Sequence, residues 1–154
     1  SSAGGRGVTV PVVNGVARAS LPAMAAGQAT VSATFIPVDS TTVGASWDSA
    51  TVTVAKAASS VKVTGRHSAK AKTLALKATV TTLAPGGTCD TRAQFVVKVG
   101  PKAVRKVLVP VTCTGVATRN ITVPTAKAYT VVVKFKGNKQ VAASTVTKVF
   151  RAKR

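Results

Sequence analysis

The sequence predicts an all-β protein. Three observations carry that prediction: a strand-forming composition, runs that alternate apolar and polar with period two, and an internal repeat of about 100 residues. Of the 154 residues, 45% are hydrophobic and only 4% aromatic. The apolar share is mostly Val and Ala, accompanied by abundant Thr, side chains that suit a pleated sheet better than an amphipathic helix. Such an apolar content supports a packed core and argues against wholesale disorder. No apolar run approaches the ~20 residues that cross a bilayer, and the opening Gly/Ser/Ala stretch lacks the core of a signal peptide. The chain is therefore expected to be a processed product or a piece of a longer precursor.

The repeat sets the order of the elements. Val8-Thr-Val-Pro-Val-Val-Asn-Gly-Val-Ala returns as Val107-Leu-Val-Pro-Val-Thr-Cys-Thr-Gly-Val-Ala. Leu21-Pro22 is answered by Val123-Pro124, the stretch from Ala29 to Phe35 by that from Tyr129 to Phe135, and Ala45-Ser46 by Ala143-Ser144. The offset stays between 98 (144 − 46) and 102 (124 − 22), the size of one β-sandwich domain. Residues 1–55 supply only the last four strands of a copy: around Val8, around Val16, from Ala29 to Phe35, and from Thr51 to Ala55. Residues 56–154 supply seven. Their apolar faces run Val61/Val63, Leu74/Leu76/Ala78/Val80, Phe95/Val97/Val99, Val107/Val109/Val111, Val116 to Val123, Val131/Val133/Phe135 and Thr145 to Phe150. Turn signals at residues 84–88, Gly100-Pro101 and Lys136-Gly-Asn138 divide them. Four strands with an apolar face of Val8, Val10, Val31, Ala33 and Phe35 cannot exclude water alone. Either an upstream fragment or a neighbouring copy completes them, as in a strand-complemented filament, or the segment is partly disordered or packs on the second unit.

The pattern Val-Pro-Val-x-x-Gly-Val-Ala, Leu-Pro-x-x-x-x-Gly, Val-x-Ala-Thr-Phe-x-Pro-x-Asp, Ala-Ser and Val-Thr-Val-Ala-Lys resembles bacterial Ig-like repeats, carried in tandem by secreted and cell-surface proteins, often of actinobacteria. The match is good over residues 8–57, where Gly27, Phe35, Pro37 and Asp39 fall in the family's strand E to F region. It is looser over 58–154, where Lys136-Gly-Asn138 stands for Pro-x-Asp. The resemblance implies an immunoglobulin-like β-sandwich, one complete module at 56–154 preceded by the C-terminal half of another at 1–55. It also implies an extracellular or cell-surface location and no characteristic catalytic residues.

Charge narrows the function. Lys and Arg number 22 against three Asp and no Glu, for a formal net charge of +19. Residues 1–55 balance Arg6 and Arg18 against Asp39 and Asp48, so the whole excess belongs to residues 56–154, where 20 bases face Asp90 alone. Three scattered acids are too few for paired-carboxylate chemistry or a calcium cage. Lys62, Lys77, Lys98, Lys134 and Lys148 alternate with apolar neighbours and are expected to point outward. In an immunoglobulin topology Lys98, Lys134 and Lys148 would form a stripe across one sheet. The alternative is a generic solvated surface with lysines guarding sheet edges. The stripe suits an anionic polymer such as teichoic acid, an acidic polysaccharide, lipid headgroups or nucleic acid. Sequence-specific nucleic-acid reading is not expected, because Tyr129 and Trp47 make no stacking platform.

Two cysteines, Cys89 and Cys113, flank the third and fourth strands of the second module. In an extracellular sandwich they are expected to form one disulfide pinning a loop to a neighbouring strand, the alternative being two buried thiols. His67, the single histidine, has no orienting acid nearby in sequence and no Gly-x-Ser-x-Gly elbow to serve. Asp39 is read as a turn former and Trp47 as a cap on the sandwich end rather than a sugar platform. A Lys–Asn crosslink at Asn120 or Asn138 lacks the buried acid it needs. The expectation is thus a non-enzymatic segment for spacing, assembly or retention at an anionic envelope, without cofactor, metal or transmembrane segment. A specific polyanion-binding module is the alternative.

Overall fold

The computed structural model describes residues 7–21, 24–84 and 86–151, so Arg6, Pro22, Pro85 and the last three residues lie outside it. Nine strands follow in chain order: β1 (Gly27–Phe35), β2 (Ser46–Val54), β3 (Ser59–Ser68), β4 (Thr73–Thr82), β5 (Thr91–Val99), β6 (Lys102–Val111), β7 (Val116–Thr122), β8 (Ala128–Phe135) and β9 (Ser144–Arg151). The last seven form the expected sandwich. One sheet has the order β3-β4-β7 and the other β6-β5-β8-β9, with antiparallel neighbours throughout.

Alternation decides what lies between the sheets. Val63, Leu74, Leu76, Ala78 and Val80 face Phe95, Val97, Tyr129, Val131, Val133 and Phe135, all 4% exposed or less. Small and β-branched residues at alternate positions let two pleated surfaces approach closely while few aromatics fill the middle. Tyr129 is enclosed on every side, and its hydroxyl donates to the Pro124 carbonyl (2.7 Å) and accepts from the Ala126 amide (3.2 Å). This is a tyrosine corner, which fixes the crossing from β7 to β8 as in immunoglobulin sandwiches. At the opposite flank, Ala57 bridges Val141 in parallel, with Ala57 N–H donating to Gln140 and Ala142 N–H donating to Ala57.

The first copy departs from expectation. Of its four strands only two form, as the hairpin β1–β2, and the reason is who pairs with whom. In the complete sandwich β6 pairs only with β5 and β7 only with β4, whereas β8 has β9 as well as β5. Residues 8–12 and 17–20 correspond to β6 and β7, and no counterparts of β5 and β4 exist among the described residues to pair with them. Only the turn between them survives: Val13 and Val16 exchange backbone bonds around Asn14 and Gly15, both at positive φ. The hairpin that does form repeats β8–β9 residue for residue. Phe35 faces Ser46 as Phe135 faces Ser144, and Val31 faces Ala50 as Val131 faces Lys148. It has no second layer of its own kind, so Phe35 is 38% exposed where Phe135 is 1% exposed.

Candidate anion-binding face

The outer face of the four-stranded sheet is built by the residues between the core positions. On β5 these are Arg92, Gln94, Val96 and Lys98. Across the ladders Lys134 sits opposite Gln94, Lys106 and Val132 opposite Val96, and Thr130 opposite Lys98. Gln94, Val96, Lys98, Lys106, Val132 and Lys134 line a shallow depression of about 310 Å³, completed by Pro101 and Ala103 at its rim. Val96 points away from the core yet is only 7% exposed. Lys106 and Val132 flank it directly on the two neighbouring strands, and lysine methylenes suit such a position because they cover apolar surface while the ammonium stays in water.

No lysine of this face stands directly across from another. Strand spacing and rise place the three Cα atoms roughly 8–14 Å apart, far enough to spare the direct cross-strand penalty of like charges. With Asp90 the sole acid of residues 56–154, and that in the turn preceding β5, the face carries positive charge with no carboxylate to neutralise it.

The placement of the five lysines named from the sequence is mixed. Lys98 and Lys134 share this face. Lys62 and Lys77 also point outward, but from the other sheet, where Lys62 lies opposite Thr79 and Lys77 between Thr64 and Thr118. Lys148 is a correction: it pairs with Val131, so it shares the side of Val146 and Phe150 and not that of Lys134. Its ammonium lies 5.6 Å from the Phe150 ring centroid. Both registers of β9 contain apolar residues, Val146 and Phe150 in one and Val149 in the other, so alternation alone left the facing ambiguous. An edge strand then let the long side chain escape sideways past Phe150. The third lysine of the face is Lys106, which sequence reasoning passed over. The signal existed: Val107, Val109 and Val111 line the core, so Lys106 takes the outward register.

Cys89 and Cys113 are bonded. Contrary to the expected loop-to-strand pin, the bridge ties two connections to each other, the one carrying the chain from β4 to β5 and the one carrying it from β6 to β7. Both cross from sheet to sheet, so the bond closes one end of the sandwich; Thr88 adds a hydroxyl bond to the Cys113 carbonyl (2.9 Å). In the same end Asn138 donates to the Gly87 carbonyl (2.9 Å) and accepts from the amides of Gln140 and Val141, which commits its amide to the β8–β9 loop.

His67 lies on the core side of β3 opposite Leu74, its ring 5.2 Å from that of Tyr129 and Nε2 3.4 Å from the tyrosine oxygen. Nδ1 is enclosed without a partner. Among the described residues no carboxylate bonds the ring. Asp39 caps a turn: its carboxylate accepts from the Thr41 hydroxyl (2.6 Å) and amide (2.9 Å) and from the Thr42 hydroxyl (3.0 Å). Those bonds, the Thr41 hydroxyl foremost, hold its pKa below the ordinary 3.8. Trp47 is a second correction: it pairs with Thr34 in a hairpin that has no second layer among the described residues, and at 75% exposed it does not cap the sandwich. Among the described residues no three His, Cys, Asp or Glu gather as a metal site, and no helix is long and apolar enough to cross a membrane.

No protein-family model matches the chain, and no curated protein matches its sequence. Among solved structures it is similar to the extracellular region of rat CD45, domains d3–d4, with a TM-score of 0.44 at 12% identity over 94% of this chain and 76% of that one. The fold rests on the chain's own ladders: residues 59–151 form an immunoglobulin-like β-sandwich of three strands against four, closed at one end by a disulfide and at the other by a tyrosine corner.

Proposed function

We propose that this chain is a non-enzymatic structural segment of a secreted or surface-displayed Ig-like repeat protein of bacterial type, whose basic sandwich retains it at an anionic envelope polymer. The observation that carries the reading is the face around Val96, where Lys98, Lys106 and Lys134 converge without an acid among them. Lysines whose Cα atoms lie about 8–14 Å apart on one face suit a repeating polyanion, which engages several at once and releases its counterions on doing so. The second basic surface, Lys62, Arg66 and Lys77 on the outside of the other sheet, favours broad retention over recognition of one ligand in one groove.

Retention on heparin and on wall teichoic acid over a salt series tests the proposal. The triple reversal K98E/K106E/K134E should elute at lower salt and show a flatter dependence on salt concentration, whereas K148E alone should shift elution much less. An unchanged salt slope in the triple variant removes this face from the account. A preference for one polymer that persists at high salt would replace retention by specific binding.

A further inference from the structure

The β1–β2 hairpin has two unlike surfaces. Trp47 pairs with Thr34, Ser49 with Ser32 and Thr51 with Thr30, so these six side chains share one surface, while Phe35, Ala33 and Val31 lie on the other. All six are exposed, and Trp47, of a residue type that is usually well covered, is 75% exposed. The rise along a strand and the spacing between strands lay them out in two rows about 5 Å apart and about 14 Å long.

What precedes or follows the hairpin does not decide that facing. Its counterpart in the complete module is the outer surface of β8–β9, where Lys134 faces Thr145 and both are exposed. A strand added at a sheet edge extends the sheet in its own plane, and a second layer packs on the apolar side, that of Val31 and Phe35. The side of Trp47 stays open in a finished sandwich.

The two outer surfaces differ in charge. β8 has Lys134 where β1 has Thr34, and its sheet adds Lys98 and Lys106. None of the six residues around Trp47 is charged, and Asp48, whose carboxylate accepts from the Ser49 amide (2.7 Å), takes the register of Ala33 on the other side. We propose that this surface binds a neutral glycan chain, one sugar ring stacking on Trp47 and the next ones bonded by Thr34, Ser32 and Ser49. The indole offers an apolar plane to the C–H face of a pyranose and an N–H donor at its rim. Ser and Thr hydroxyls both donate and accept, as do the hydroxyls of the ligand. A protein partner fits less well, because its interface would strip water from five hydroxyls around one aromatic anchor.

Trp47 is the single tryptophan, so tryptophan emission of the full chain reports on this site alone. The probes are oligomers of β-1,4-linked N-acetylglucosamine, soluble mannan and soluble starch. At least one should give a saturable blue shift and protection from acrylamide quenching, unchanged at about 0.5 M salt, where contacts of the basic face are screened. Retention on the matching insoluble polysaccharide should fall at least tenfold in W47A and recover in part in W47Y. Amide exchange in β1 reports whether the hairpin persists in each variant, and the emission of the unaltered chain stands apart from both. No emission change with any of the three saccharides at millimolar concentration overturns the proposal. So does retention that W47A keeps, or a blue shift with phosphatidylcholine vesicles but not with saccharide, which would make the surface a membrane contact.

Discussion

Replacing Gly115 with alanine should destabilise the sandwich far more than the same change at Gly15, its counterpart one repeat earlier. Both glycines turn the chain at nearly the same φ, +82° and +77°. Left-handed backbone costs an L-residue about 1–2 kcal/mol at either site. The surroundings differ. A Cβ on Gly115 would stand 2.2 Å from the Val80 carbonyl oxygen, a backbone atom, whereas one on Gly15 meets nothing within 4 Å. Moving the turn to relieve that clash breaks the bond from the Val80 amide to the Gly115 carbonyl (2.7 Å) and strands buried groups, worth about 1–3 kcal/mol. After subtracting about 0.4–1 kcal/mol for the stiffer unfolded chain, G115A should cost about 2–4 kcal/mol. Urea unfolding followed by far-UV circular dichroism should then show a midpoint lowered by about 1–4 M, taking a slope of about 1–2 kcal/mol/M for a domain of this size. G15A should leave the sandwich midpoint in place. Equal shifts in the two variants would refute both the packing argument and the absence of a β4 counterpart beside Gly15.

Reducing Cys89–Cys113, or replacing both with serine, frees a loop whose ends are 24 residues apart and should cost about 3–4 kcal/mol, read as a lower unfolding midpoint; an unchanged midpoint would show the sheet-crossing connections to be held without it. Tyr129→Phe keeps the ring but loses the bonds to Pro124 and Ala126, so it should cost about 1–3 kcal/mol and speed amide exchange at Ala126; a neutral result would dismiss the corner as a stabilising element. Asp39 has a folded pKa below its unfolded one. The stability it contributes is therefore present above about pH 4 and lost as pH falls through the lowered value, and a carboxyl NMR titration ending at or above 3.8 would contradict the turn.

Alternation and the repeat made the core legible before any coordinates. Leu74, Leu76, Phe95, Val131 and Phe135 all carry the period-two signal on strands buried by a second layer. The same signal failed at Lys148, because an edge strand with apolar residues in both registers has no unique inside. It also failed across residues 8–20, for a different reason: propensity and pattern there are those of strands, and the repeat showed that the first three strands of that copy are not in residues 1–55, yet it does not say which of the remaining strands lose their ladder without them. The candidate face was half legible. Lys98 and Lys134 followed from their neighbours, but bringing Lys106 beside them requires knowing that β6 lies against β5 and that the outward positions coincide. The tyrosine corner depends on the bond from Tyr129 to Pro124 across a turn, which single-residue patterns do not encode.

The parallel bridge between Ala57 and Val141 has a mechanical consequence. Tension applied along the chain pulls backward on Ala57 and forward on Val141, so the two bonds of that bridge are loaded together in shear instead of being unzipped one at a time. Should the clasp slip and the sheets part, the residues between Cys89 and Cys113 still cannot extend, because the disulfide bypasses them. That withholds about 80 Å of contour length from a separation of 24 residues, at roughly 3.3–3.6 Å per residue. Single-molecule stretching should therefore record an unfolding step shorter by that amount under oxidising conditions, restored to full length once the bond is reduced.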